Sequence, residues 1–425
     1  MKPSGIEWIG DIPDDWEVKR VKNTGKLIGG SAFPDEYQGV KNEEIPFIKV
    51  KSLAEDPISR NGKDSISESI RSKLNAEKFI IGSVVFAKVG AALLLQRFRI
   101  LEFESCIDNN MMGFIPLVIE PRFFKYVTVL FDFSYFVNPG TVPSINQEQI
   151  GNIKIPFPPL KTQQKIADYL DEKCGEIDAT IAKQKESIEK LKAYKQSLIS
   201  ETVTKGLDKS APLKPSGIEW IGDIPDDWEV TKISRLYSIQ LGKMLQPEKK
   251  SLGDTYEPYI CAANLSSGTF RLDEVKYMWI SEPEKDIYRL KRDDLLVTEG
   301  GDVGISSIWK DDISPCYFQN ALHRVVPKKG NSNRFLHYWL IVLKSVGYID
   351  LICNKSTIAH FTKEKFAQSL ILSIPLQTQE KIADYLDSKC SQIDKYITEK
   401  QNIIQKLDAY KKSLIFECVT GKQKI

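Results

Sequence analysis

KPSGIEWIGDIPDDWEV occupies Lys2–Val18, and the same seventeen residues return unchanged at Lys214–Val230, an offset of 212. A second repeat pairs PLKTQQKIADYLDEKCGEID from Pro159 with PLQTQEKIADYLDSKCSQID from Pro375. Across Pro159–Thr204 and Pro375–Thr420, 28 of 46 aligned positions are identical. The chain is two tandem copies of one unit. Between the repeats lie Lys19–Pro158 and Thr231–Ile374, of 140 and 144 residues, with almost no identity between them. Two faint echoes remain: GSVVFAKVG (Gly82–Gly90) against DDLLVTEGGDVG (Asp293–Gly304), and CIDNNMMGFIP from Cys106 against CYFQNALHRVVP from Cys316. A constant frame around varied content of nearly constant length suits a protein that reads two targets from one scaffold.

The frame is helical after each interior. Leu170, Ile177, Leu191 and Leu198 fall on a seven-residue spacing, with Gln184 in the one polar slot, and Cys174, Ile181, Ile188 and Lys195 form a companion series. The second copy repeats this with Leu386, Ile393, Lys400, Leu407 and Leu414, beside Cys390, Ile397, Ile404 and Lys411. Such a narrow apolar seam needs a partner helix, and the nearest one is the other copy. A pseudo-two-fold axis perpendicular to the helices makes the pair antiparallel, an antiparallel coiled coil about 42 Å long from Leu170 to Leu198 with one variable domain at each end. Short β-rich runs in the interiors (Ile45–Val50, Ser83–Val89, Asp294–Gly300) alternate with loops, and Phe123–Phe136 and Phe335–Val346 read as helices. The fold class is α+β, two tandem pseudo-two-fold-related units. Residues 1–160 and 214–376 are the two variable domains, 161–204 and 377–420 the long helices, and 205–213 the linker between units.

The 425 residues carry 59 Lys plus Arg against 57 Asp plus Glu, a net charge of +2, which rules out a uniformly basic nucleic-acid coat but not separate basic patches. No apolar run approaches a bilayer span, and the seven cysteines include no close CxxC pair, so a cytoplasmic protein with free thiols and no membrane partner is expected. Cys174 and Cys390 are equivalent positions near the helix starts, where antiparallel partners do not meet, so they are expected as buried free thiols.

The WIGDIPDDW lead-ins at Trp8–Trp16 and Trp220–Trp228, the Pro-Leu-x-x-Gln-x-x-Ile-Ala-x-Tyr-Leu-Asp segments, the long helices and the doubling together resemble the DNA-specificity subunit of type I restriction–modification systems, over essentially the full length. The resemblance implies a non-catalytic reader of double-stranded DNA. Each interior would be a target-recognition domain for one half of a split, asymmetric site, and the paired helices would fix the unread spacer. It further implies two methyltransferase (modification) subunits and restriction/translocase subunits as partners. S-adenosylmethionine, ATP and Mg are expected on those partners, with no cofactor on this chain. One departure stands out: the second interior has Gly300, Gly301 and Gly304 after its strand, the first only Gly90 followed by AALLL.

Catalytic signals are missing. There is no Asn-Pro-Pro-aromatic or Asp-Pro-Pro-aromatic tetrapeptide and no GxxxxGK[ST] loop, and His323, His337 and His360 lack metal spacing. The EGGDVG segment reads as a turn between strands. Candidate DNA contacts, chosen by residue type and loop position, are Lys49, Lys51, Ser52, Lys88, Asn109 and Asn110 in the first interior. In the second they are Asn264, Ser266, Ser267, Thr298, Gln319, Asn320, Lys355, Ser356, Thr357 and His360. The coiled-coil interface is expected from Leu170, Ile177, Ile181, Ile188, Leu191, Leu198, Leu386, Ile393, Ile397, Ile404, Leu407 and Leu414. The duplicated tryptophans are expected to serve the frame's core rather than to stack on bases. The alternative function is a coiled-coil scaffold whose variable domains bind proteins; salt-dependent duplex binding separates the two.

Overall fold

The computed structural model describes every residue except 132, 134–141 and 354–358. The chain forms two compact units, one of Met1–Gln184 with Gln401–Ile425, the other of Lys185–Lys400. The unit boundary therefore runs through the long helices rather than at their ends, and each helix contributes to both units.

In the first unit the interior is built on a four-stranded antiparallel sheet, in the order Gly25–Gly29, Met111–Pro116, Val84–Ala87, Arg99–Ile100. Beside it lies a three-stranded sheet in which Ile45–Ile48 runs antiparallel to Asp64–Ile66 and parallel to Cys106–Ile107. Val84–Ala87 and Ile45–Ile48 are buried at every residue. That is why they read as continuous apolar runs rather than as alternating strands. The second unit repeats the plan: Tyr237–Leu241, Leu322–Pro327, Leu295–Thr298 and Ser306–Ile308 in one sheet, and Lys276–Ile280, Thr255–Ile260 and Tyr317–Phe318 in the other, the last pair again parallel. Both faint sequence echoes fall on strands in matching places. Two interiors without readable identity share one topology.

Each interior is closed by its own ends. Glu17–Arg20, at the end of the first lead-in, pairs antiparallel with Lys154–Phe157, Lys19 facing Ile155. Glu229–Lys232 pairs in the same way with Leu370–Ser373, Thr231 facing Ile371. The interior leaves and rejoins the frame at one two-stranded ladder.

The long helices run Leu160–Lys205 and Leu376–Val419. The first, at 46 residues, spans about 69 Å. It starts ten residues before the heptad pattern, immediately after Pro158 and Pro159, which favour an extended lead into a helix start. Within the first unit, Ile166, Leu170, Cys174, Ile177 and Ile181 share a core with Leu414, Ile415, Cys418 and Val419 and with the interior's Phe86, Phe114, Phe123 and Phe124. Asp178 accepts from Lys411 Nζ at 2.6 Å and Tyr169 from Gln423 at 3.1 Å, so the two segments run antiparallel. Within the second unit Ile199 and Val203 share a core with Leu386 and Cys390, and Lys195 pairs with Asp394 at 2.6 Å. Lys195 and Lys411, the polar members of the two companion series, each meet an aspartate.

Leu170, Ile177, Ile181, Ile188, Leu386, Ile393 and Leu414 are buried. Leu191, Leu198, Ile397, Ile404 and Leu407 are half-buried; Leu198 packs on the second unit's core and Ile404 and Leu407 on the first's. Trp16 and Trp228 are buried, and Trp8 and Trp220 pack against the same cores. Trp228 closes over Gly206 and Trp16 over Gly421, the glycines that end the long-helix segments in their respective units. All seven cysteines are free, and Cys174 and Cys390 are buried. No helix is long and apolar enough to cross a membrane among the described residues.

Leu170 is fully buried where interior and helix meet, so Leu170→Ala is expected to cost about 2–5 kcal/mol. Lys195→Ala, removing a part-exposed pair, is expected to cost below about 1 kcal/mol. Chemical denaturation of the two variants checks this; comparable losses would contradict the placement of the frame's stability in the shared core.

Candidate nucleic-acid interface

The first interior gathers its polar loop residues around Asp108, a residue the sequence did not single out. Its carboxylate accepts from the backbone N–H of Asn110 at 2.8 Å and of Val50 at 3.1 Å. Its own N–H donates to Ile48 O at 3.0 Å, and Lys88 N–H donates to Asn110 O at 2.9 Å. The turn after Ile45–Ile48, the 108–110 turn and the end of Val84–Ala87 are thus tied into one surface. Burial pushes the Asp108 carboxyl above its ordinary pKa, against the pull of those two amides and of Lys49 and Lys88.

On this surface Lys51, Asn109 and Asn110 are exposed and Lys88 is half-exposed. Lys51 and Lys88 have no ion-pair partner among the described residues. Lys49 is different: its ammonium pairs with Asp64 at 2.6 Å and donates to Gln38 at 2.8 Å. Ser52 is buried, its backbone closing the short turn that begins at Lys49. The geometry therefore takes Ser52 out of direct contact and leaves Lys49 spoken for.

The second interior has the same crossing. Gln319 N–H donates to Ile260 O at 3.0 Å, Asn320 N–H to Lys243 O at 2.9 Å, and Glu299 N–H to Ala321 O at 2.9 Å. Gln319 occupies the place of Asp108, Asn320 that of Asn109, and Glu299 that of Lys88. Gln319 and Asn320 are half-exposed and His360 is exposed, its backbone paired with Gly300. Burial pushes the Glu299 carboxyl above its ordinary pKa, with His360 pulling the other way.

Asn264 and Thr298 are buried and used internally. Asn264 accepts from Cys261 N–H at 3.0 Å and donates to Arg271 O at 2.9 Å. Thr298 Oγ1 donates to Asp302 O at 2.6 Å and accepts from Ile305 N–H at 2.9 Å, closing the Gly300–Gly304 turn between strands. Ser266 holds Ser307 through its carbonyl, and Ser267 lines a separate cleft with Arg292, Lys310 and His337. Neither joins the Gln319 surface. Lys355, Ser356 and Thr357 lie outside the described residues. At the departure noted in the sequence, the first interior replaces the glycine-rich turn by Gly90, at φ 74°, and one helical turn, Ala91–Leu94.

Two glycines explain how the crossing is made. A Cβ on Gly30 would stand 2.0 Å from Asp108 O, and one on Gly242 2.3 Å from Gln319 O. Only a bare backbone passes there. The signal was available: the echo AKVG against TEGG sets Lys88 opposite Glu299. Gly30 and Gly242 had no such pointer, because their meaning lies in a contact between distant segments.

A family model for the type I restriction modification DNA specificity domain matches residues 13–192 and again 225–409. The chain belongs to the type I restriction–modification DNA-specificity family. It is 24% identical to the putative type I restriction enzyme MjaX specificity subunit of Methanocaldococcus jannaschii, covering 98% of this chain and 96% of that protein. It is 23% identical to the EcoBI specificity subunit of Escherichia coli, over 79% and 71% of the two chains. The fold matches a chain solved for the structural basis of complex assembly and conformational transition of the type I R-M system, with TM-score 0.72, 15% identity, and 97% and 100% of the chains covered. It also matches the HsdS subunit from Thermoanaerobacter tengcongensis, with TM-score 0.52, 16% identity, and 97% and 98% coverage. As a member of this family the chain is a DNA sequence-specificity subunit; no comparison supports the protein-binding scaffold.

If Lys51 and Lys88 meet phosphates, Lys51→Gln and Lys88→Gln each lower the slope of log affinity against log salt by roughly 0.9, while Ser52→Ala leaves it unchanged. Duplex titrations over a salt series provide the check.

Proposed function

We propose that this chain reads a split, asymmetric DNA site, one half with each interior, and that the long helices set the length of the unread spacer between the halves. The carrying observation is the pairing of one topology with unlike chemistry. Gln319 stands where Asp108 does, Glu299 where Lys88 does, and Ala263 where Lys51 does, at matching points of two crossings that share backbone hydrogen bonds. Amide, ammonium and carboxylate groups select different base edges: lysine a guanine, glutamine an adenine, glutamate the amino group of cytosine. Two half-sites of different sequence follow from two different sets.

The chain acts as a reader and not as a catalyst. The Gly300–Gly304 turn is filled by its own groups: the Thr298 hydroxyl bonds across it, and Gly304 abuts Ile349. These residues do not fit a nucleotide-type cofactor. We assign S-adenosylmethionine, ATP and Mg to partner subunits: two methyltransferase subunits that modify adenine, and restriction/translocase subunits. The seven free cysteines favour a reducing compartment, the cytoplasm.

A methyladenine map of host DNA tests the reading. Deleting the gene should erase one split, asymmetric motif, and replacing residues 19–158 with the interior of another family member should change one half of that motif and leave the other half and the spacer intact. A swap that altered both halves would contradict independent reading.

A further inference from the structure

Beside their shared apolar core, the first interior and its long helix are joined by a polar latch. Arg122 and Tyr126 lie one turn apart on the helix Pro121–Thr128, and Asp168 and Asp171 lie one turn apart on the long helix, spacings that put each pair on one face. Arg122 Nη1 meets Asp168 Oδ1 at 2.8 Å and Asp171 Oδ2 at 2.9 Å, and the Tyr126 hydroxyl donates to Asp171 Oδ1 at 2.7 Å. Beneath it, buried Gln163 accepts from Glu120 N–H at 2.9 Å and donates to Pro158 O at 2.7 Å.

The second unit holds the same latch. Arg334 meets Asp384 at 2.8 Å and also Asp387, and Tyr338 donates to Asp387 Oδ1 at 2.5 Å. Gln379 accepts from Ser332 N–H and donates to Ile374 O, both at 2.9 Å. The interiors thus share Arg-Phe-x-x-Tyr at 122–126 and 334–338. The two phenylalanines, Phe123 and Phe335, are fully buried.

The ion pairs of the latch are open to solvent, while Tyr338 of the second unit is buried. The Arg122 side chain is 40% exposed and that of Asp168 67%, and the core beside it carries the burial. Exposed ion pairs add little to stability. Arg334 reaches its two aspartates through different nitrogens, whereas Arg122 reaches both through Nη1 and has its Nε held by Glu120 at 2.9 Å; in each case charge-assisted and phenol hydrogen bonds supply direction. We propose that this latch is a positioning element: it fixes the angle at which each recognition domain stands on its long helix, and so the spacer at which both halves of the site are engaged. The proposal rests on the split-site reading above.

The test uses the chain in complex with its methyltransferase partners. Methyl transfer is measured on duplexes carrying the mapped site with its native spacer and with one base pair added or removed. For Arg122→Gln combined with Tyr126→Phe, the preference for the native spacer is expected to fall by about tenfold, as small misplacements do in rate terms, with half-site bases and melting temperature unchanged. Tyr126→Phe alone, which loses one hydrogen bond and keeps the ion pairs, should give a smaller loss of the same kind. Activity reduced equally on all spacers, with the preference intact, would show a merely structural contact and overturn the proposal. A wild-type complex with no spacer preference would overturn the split-site reading itself, and the latch's role with it.

Discussion

The structure depends on one short antiparallel ladder made twice. Glu17–Arg20 with Lys154–Phe157, and Glu229–Lys232 with Leu370–Ser373, pin the two ends of each interior side by side. A chain segment whose ends are held adjacent presents the same two attachment points to the frame whatever lies between them. The ladder belongs to the repeated frame on one side and feeds directly into the long helix on the other. It lets about 140 residues differ in sequence while their ends stay fixed to the frame, so long as interior residues such as Phe114 and Val325 complete the cores that Leu170 and Leu386 organise.

Freedom inside that closure is limited by backbone geometry rather than by sequence. Both interiors route a strand end past the turn that carries the polar contacts, and both do so at a glycine, Gly30 or Gly242, because a side chain would collide with the carbonyl of Asp108 or Gln319. The hydrogen bonds that the two crossings share are backbone bonds, to which the Asp108 carboxylate adds two of its own in the first interior. Side chains on it are therefore free to differ in sign and shape. Lys88 and Glu299 stand in the same position with opposite charge. A reader that changes its target needs this division between a backbone that holds and side chains that select.

How much of this was legible in the sequence varies with the range of the interaction. The frame was readable because its signals are local: an exact repeat and a heptad spacing. The strand order was not, since parallel pairing of Ile45–Ile48 with Cys106–Ile107 joins segments about sixty residues apart through residues with no shared pattern. Lys195 and Lys411 close apolar series in the sequence, and only the fold shows each as half of a repeated ion pair. Arg122 and Tyr126 escaped notice because three matching residues carry meaning only once Asp168 and Asp171 are seen opposite them. Ser52, Asn264 and Thr298 were chosen as polar loop residues, and each spends its side chain or backbone on closing a turn, the commonest use of Ser, Thr and Asn in loops. Residue type marks a candidate; only the fold shows whether its hydrogen-bonding groups are still unspent.

The most direct test of the central claim, one crossing used twice for two different half-sites, is photo-cross-linking. Duplexes carrying a photoreactive base in one half-site or the other would be bound to the assembled complex, and the attached peptides identified by mass spectrometry. The account predicts attachment at Lys51, Lys88 or the 108–110 turn from one half-site, and at Glu299, the 319–321 turn or His360 from the other. Attachment of both half-sites within one interior, or at the Ser267–Arg292–Lys310 cleft instead of the Gln319 turn, would contradict it.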